Sequence, residues 1–301
     1  MSDELPVELG ALVDRACEVI DASDRRHLRE VAQAVAVSAW RHYLAWRTPA
    51  DNRSEHEFIV LGNTLRIAVG ERLSVSDLRV AIAFCFLHDT HFIPRITEWR
   101  IRELQREADA ADAQAADSRA TAASSADASA RAIELRQRAE ALRTARLEQR
   151  QRHMDGGAAN AGFLLQRIHL PGEPPRLALD DAERRRCCEI IARHDDWKLK
   201  RAHPPSDDRL AVACLEGDSL WPLHPLGVQA DLERPGDDGR IADVWSPAEW
   251  RRQVAESLKT LREHRGNWPE DAGFTTTDAI FRTVEGGRIY REWCEHWRCG
   301  E

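Results

Sequence analysis

The dipeptide His88-Asp89 closes an apolar run, Val80-Ala-Ile-Ala-Phe-Cys-Phe-Leu87. A segment of that composition belongs in a core, where an imidazole and a carboxylate are costly to desolvate unless something pairs with them. A bound metal ion is one such partner. Further donors of the same kind stand at His56, His153, His194 and Asp218. Imidazole is a borderline-soft donor, so the mixture suits Mn, Fe, Co, Ni or Zn better than calcium.

Each donor falls in a segment whose pattern turns it inward. His56 lies in Ser54-Glu-His-Glu57, which reads as a capping box opening a helix, and Ile59 and Val60 share its face at three and four residues. His153 is followed at four-residue spacing by Gly157 and Ala161, small residues that let another helix or an ion approach. Asp180-Asp-Ala-Glu183 caps a helix that carries Cys187, Ile190 and Ile191 toward His194. Asp218 extends the row Leu210, Cys214, which places a carboxylate on an apolar helical face. Coordination is the natural compensation for such a carboxylate.

The order His, His-Asp, His, His, Asp resembles the HD superfamily of metal-dependent phosphohydrolases, over residues 54–221 apart from an insertion. The resemblance implies an all-α HD-domain helical bundle with a two-metal site. In that site His56, His88, Asp89 and Asp218 surround one ion, and Asp89 bridges to a second held by His153 and His194. The implied activity is hydrolysis of a phosphomonoester, nucleotide or related phosphoester by a metal-activated hydroxide. Some members resemble this chain in their four His and two Asp but cleave C–C or C–P bonds at a mixed-valent di-iron site, which is the second reading. A third is a non-catalytic regulatory or binding protein that recruits a partner through the insertion. The cyclic-dinucleotide branch has Ile-Gly-Lys-Ile after the His-Asp pair, where this chain has Thr90-His91-Phe92-Ile93 and no Gly-Tyr-Pro follows. The Glu-Asp of the alarmone hydrolases is missing as well. Neither substrate is therefore expected.

Other groups near these donors offer chemistry of their own. His91, three residues from His88, suits a general acid or a phosphate contact, and equally a surface or capping residue. The run Asp195-Asp-Trp-Lys-Leu-Lys-Arg201 offers Lys198, Lys200 and Arg201 to an anionic substrate. Positive charge at a helix C-terminus is the competing explanation.

The elements that must position these groups read as helices. Apolar residues recur at three and four residues over 7–20 and 24–46, with Ser23 or Asp24 as the cap between them. Ser76-Asp77 starts the buried helix that ends at His88. From 95 to 155 there is neither Gly nor Pro, and 108–132 holds only Ala, Asp, Ser, Gln, Arg and Thr. One helix over that stretch would reach roughly 90 Å, so a helical hairpin, or two helix extensions joined by a mobile Ala/Ser-rich tip near 121–129, is expected. Beyond Asp218 the chain reads as loop through 239, then as a helix over 247–264 capped by Ser246, a Gly286-Gly287 turn and a Trp-rich last helix. No segment alternates as a strand does. The expected architecture is one HD-like all-α domain over 1–301. It carries N-terminal helices at 1–50, a long Ala-rich hairpin insertion at about 100–150 and a C-terminal extension at 222–301.

Bulk properties narrow the class. A net charge of −8 on 301 residues argues against general nucleic-acid binding or attachment to an anionic membrane. The mean hydropathy of −0.54 places much of the chain against water. Seven cysteines without a framework spacing read as free thiols. With no apolar run long enough for a bilayer and no signal-peptide pattern, the expected location is the cytoplasm. A small phosphorylated substrate is the expected partner, with a homo-oligomer or another protein engaged through the insertion.

Overall fold

The structure is a computed structural model that describes residues 8–46, 55–91, 98–117, 121–199, 201, 207–232, 246–266 and 280–297. Among them the chain is all-α apart from one pair of two-residue strands. In chain order the elements are α1 (Glu8–Ala16), α2 (Ala22–Trp46), α3 (Glu55–Gly70), α4 (Val75–Leu87), α5 (Glu98–Ala115), α6 (Ala122–Leu165), β1 (His169–Leu170), β2 (Arg176–Leu177), α7 (Asp181–Ile191), α8 (Arg209–Leu220), α9 (Pro225–Leu232), α10 (Pro247–Gly266) and α11 (Val284–His296). They fall into two compact units. One takes the described residues within Met1–Phe92, Met154–Arg234 and Ala242–Glu301, the other those within Ile93–His153.

In the first unit α4 is buried on nearly every side, with only Arg79 partly exposed between Leu78 and Leu87. A helix apolar all round is stable only when surrounded, and α2, α3, α7 and α8 pack against it. Each presents a stripe to match: Leu28, Val31, Ala32 and Val35 from α2, Leu61 and Leu65 from α3, Cys187 and Ile191 from α7, Leu210 and Cys214 from α8. The α4 start is fixed by a reciprocal box, in which Ser74 Oγ accepts from Asp77 N and Asp77 Oδ2 accepts from Ser74 N, each at 3.1 Å. The helix therefore begins before the expected Ser76-Asp77. Likewise α2 starts at Ala22, so Ser23 and Asp24 lie in its first turn rather than capping it. The box expected at Ser54 lies outside the described residues. Asp180 caps α7 as expected, accepting from Ala182 N and Glu183 N at 2.9 Å.

The region after Asp218 is more helical than its prolines suggest. Trp221–Leu223 forms a 3-10 turn and α9 follows. Pro222 and Pro225 occupy early helical positions, where no N–H is required. His224 Nδ1 accepts from Leu226 N at 3.2 Å at the entry to α9. Gly286 and Gly287 are not a turn but the first turn of α11, capped by Thr283. Gly286 is needed there because a Cβ would come within 2.6 Å of Glu216 Oε2. Ser246 and Glu249 cap α10 reciprocally, as expected. The β1–β2 pair, with His169 opposite Leu177, is too short for any alternation to show in sequence.

In the second unit α5 runs antiparallel to the N-terminal part of α6. Ser125 Oγ donates to Ala115 O at 2.7 Å, and Arg136 pairs with Asp109 and Asp112. Ile101, Leu104 and Ala108 pack on Leu135 and Ala139. The expected tip at 121–129 is already helix, because alanine is the strongest helix former and Thr121 Oγ1 accepts from Ser124 N at 3.2 Å. The 44-residue α6 continues past the hairpin into the first unit. No helix among the described residues is long and apolar enough to cross a membrane.

Candidate metal centre

Helix ends build the centre. His88 is the C-cap of α4, stacked on Phe84 with ring centroids 4.9 Å apart. Its Nδ1 donates to Phe84 O and Cys85 O, both at 3.1 Å, carbonyls of the last turn of α4. At the end of α7, His194 repeats the device: Nδ1 donates to Ile191 O at 2.7 Å. Carbonyl oxygen only accepts, so in both rings Nδ1 carries the hydrogen and Nε2 is turned to the centre. Metal-ligating histidines are oriented by this kind of bond.

Two groups of donors result. His56, His88 and Asp218 form one, and Asp89, His153 and His194 the other, each with ligand atoms within 4.8 Å of one another. In the first, His56 Nε2 is 3.0 Å from His88 Nε2 and 3.7 Å from Asp218 Oδ1, which lies 3.5 Å from His88 Nε2. An ion bonded at about 2.0–2.2 Å sets neighbouring donors about 3.0–3.5 Å apart. The observed edges therefore fit closure around one ion. Asp89 turns Oδ2 to His56 Nε2 at 3.4 Å and Oδ1 to His88 Nε2 at 3.8 Å and to His194 Nε2 at 3.9 Å. Both groups can hold a metal ion.

The electrostatics agree. Burial works to lower the His88 imidazole, but Asp89 and Asp218 outweigh it and hold the ring at about 10. Burial lowers His56, and the neighbouring His88 adds to that. The position thus demands a cation while leaving room for only one proton between two imidazoles. A metal ion held there would answer both requirements and take the place of that proton.

Close helix approach completes the centre. A Cβ on Gly157 would come within 2.7 Å of His88 O and 3.3 Å of Ile191 Cγ2, and one on Gly156 would overlap the His91 ring. Gly217 is pressed equally hard on Thr64 of α3, which seats α8 and brings Asp218 beside His56. Asn160 Nδ2 donates to Thr90 O at 3.2 Å.

The six expected ligands are the members of these two groups. His91 lies beside α6 at Gly156. The Lys198 side chain and Lys200 lie outside the described residues. Arg201 is tied to Asp196, its guanidinium at 3.4 Å from Oδ1 and its backbone N–H donating to Asp196 O. Two residues near the donors escaped sequence reasoning. Asp195 is buried, with Oδ2 3.9 Å from His194 Nε2; its signal was the second His-Asp pair at 194–195, which any His-rich chain can show by chance. Trp221 sets its ring edge-to-face with His56 at 4.8 Å; its signal was only a position three residues past Asp218. Compared with models of protein families, with curated proteins and with solved structures, the chain matches none.

Proposed function

We propose that the chain is a metal-dependent phosphohydrolase of the HD kind that acts on a small phosphorylated molecule in the cytoplasm. The observation that carries this reading is Asp89, one carboxylate with its two oxygens turned to donors of both groups. That is what a ligand shared by two ions requires. Two ions held there would polarise a phosphoryl oxygen and make water acidic enough to attack at neutral pH. The chain's own part is orientation and charge. His88 and His194 keep Nε2 aimed through their bonded Nδ1 atoms, and Asp89 and Asp218 supply the negative charge that retains the ions. His91, two residues past Asp89, is assigned the proton for the leaving oxygen. Lys198, Lys200 and Arg201 follow His194 and are assigned the phosphate charge.

The di-iron oxygenase reading draws on the same six donors. Hydrolysis is preferred because it is the commoner chemistry of the superfamily the ligand order resembles, an argument by analogy of fold. The test is a stripped chain reloaded separately with Mn2+, Co2+, Zn2+ or Fe2+ and assayed on phosphomonoesters and nucleotides, with Asp89→Asn alongside. The reading predicts phosphate release that needs the ion and disappears in the variant. Oxygen consumption restricted to the iron form, without phosphate release, would replace it by the oxygenase.

A further inference from the structure

His56 differs from His88 and His194 in how it is held. His88 and His194 each have Nδ1 bonded to a backbone carbonyl, whereas the buried His56 Nδ1 has no hydrogen-bond partner among the described residues. Outside the donor set, the ring that meets His56 is Trp221, at 4.8 Å between centroids and 83° between planes. Perpendicular contact is the preferred arrangement of aromatic pairs, and it allows an N–H or C–H edge to rest on a π face.

Trp221 is itself fixed from two sides. Gly227, in α9, lies so close that a Cβ there would overlap Trp221 O and come within 2.8 Å of ring atom Cε3. The turn that carries Trp221 is tied to the end of α11, where Trp297 Nε1 donates to Leu223 O at 2.7 Å. Trp297 stacks in turn on Trp250 of α10, with centroids 5.8 Å apart. The C-terminal helices thus reach the donor set through one indole.

We propose that Trp221 is a positioning residue that aims His56 Nε2 at the ion, replacing the carbonyl bond that His88 and His194 have. The proposal rests on the metal reading above. It assigns a task to the C-terminal extension, since Gly227 and Trp297 seat the indole that supports the His56 ring. Orienting partners of this kind are worth about ten- to a hundredfold in metal affinity.

The test is titration of the EDTA-treated full chain with Co2+ alone, followed by visible absorption and by equilibrium dialysis. Wild type should bind two equivalents. Trp221→Leu should weaken one of the two by about tenfold or more and leave the other unchanged, while Trp221→Phe, which keeps an aromatic face, should restore it. Gly227→Ala, which displaces the indole without altering its chemistry, should reproduce the one-site loss and carries the test if Trp221→Leu fails to fold. A merely structural role would lower the melting temperature in EDTA without this selectivity and without rescue by Phe. Two equivalents bound with wild-type affinity by Trp221→Leu and Gly227→Ala would overturn the proposal and leave the metal reading standing. No Co2+ bound by the wild type would overturn both.

Discussion

His56 Nε2 and His88 Nε2 face each other across 3.0 Å, although 32 residues separate them in sequence and they sit on different helices. His88 is buried and His56 partly buried, and each also faces Asp89 and Asp218. Such a cluster is favoured by positive charge, and an ion bound there would couple binding to folding.

Binding should therefore stabilise the fold. Saturation at a thousandfold excess over Kd contributes about 4 kcal/mol. Differential scanning calorimetry should show the melting temperature falling on chelation and recovering with added Co2+ or Mn2+. A melting temperature indifferent to both treatments would contradict this.

Phe84 joins the core to the centre. It is fully buried, stacked on His88 and edge-on to His194 at 6.3 Å. Phe84→Ala removes that packing and should cost about 3–5 kcal/mol in urea unfolding. The variant should also lose ion affinity, because the ring that supports both imidazoles is gone. A loss below about 1 kcal/mol would mean that the neighbours refill the space.

The approach of α6 to α4 depends on having no side chain at Gly157. The clash would be with the His88 carbonyl, a backbone atom that no rotamer change can move. Gly157→Ala should destabilise the chain by about 1–3 kcal/mol, despite the helix propensity that alanine adds. Equal or greater stability on chemical denaturation would show that the helices separate freely.

Glu285 sets one pH dependence away from the centre. Burial works to raise its carboxyl, but Arg288 and Arg66 outweigh that and hold it below its ordinary value. Arg66 of α3 donates to Glu285 Oε1 at 3.2 Å and also pairs with Glu292. A depressed folded value means that the stabilisation is complete above the unfolded pKa, about 4.3. It is lost as pH falls through the lower folded value. Solvent screening limits it to about 1 kcal/mol or less. The difference in melting temperature between wild type and Glu285→Gln should be steady at neutral pH and vanish under strong acid; a gap that widens on acidification would reverse the sign.

The sequence carried the parts of this molecule set by local pattern. The apolar run of α4, the row Leu210–Cys214–Asp218 and the cap at Asp180 all reported elements that the structure contains, and the donors on them converge. What it did not carry was decided by tertiary contact. Gly286-Gly287 looks like a turn until Glu216 is seen pressed against Gly286. Pro222 and Pro225 look like loop residues until their places at helix starts are known. Trp221 has no motif at all, because a perpendicular ring contact with His56 leaves no trace in spacing.

If Asp89 is shared by two ions, metal stoichiometry will depend on it. Mass spectrometry of the ion-loaded chain, after removal of free metal, should find close to two equivalents in the wild type and fewer than one in Asp89→Asn, with a folded circular dichroism spectrum in both. Two equivalents retained by Asp89→Asn, or none bound by the wild type after reloading, would contradict the account.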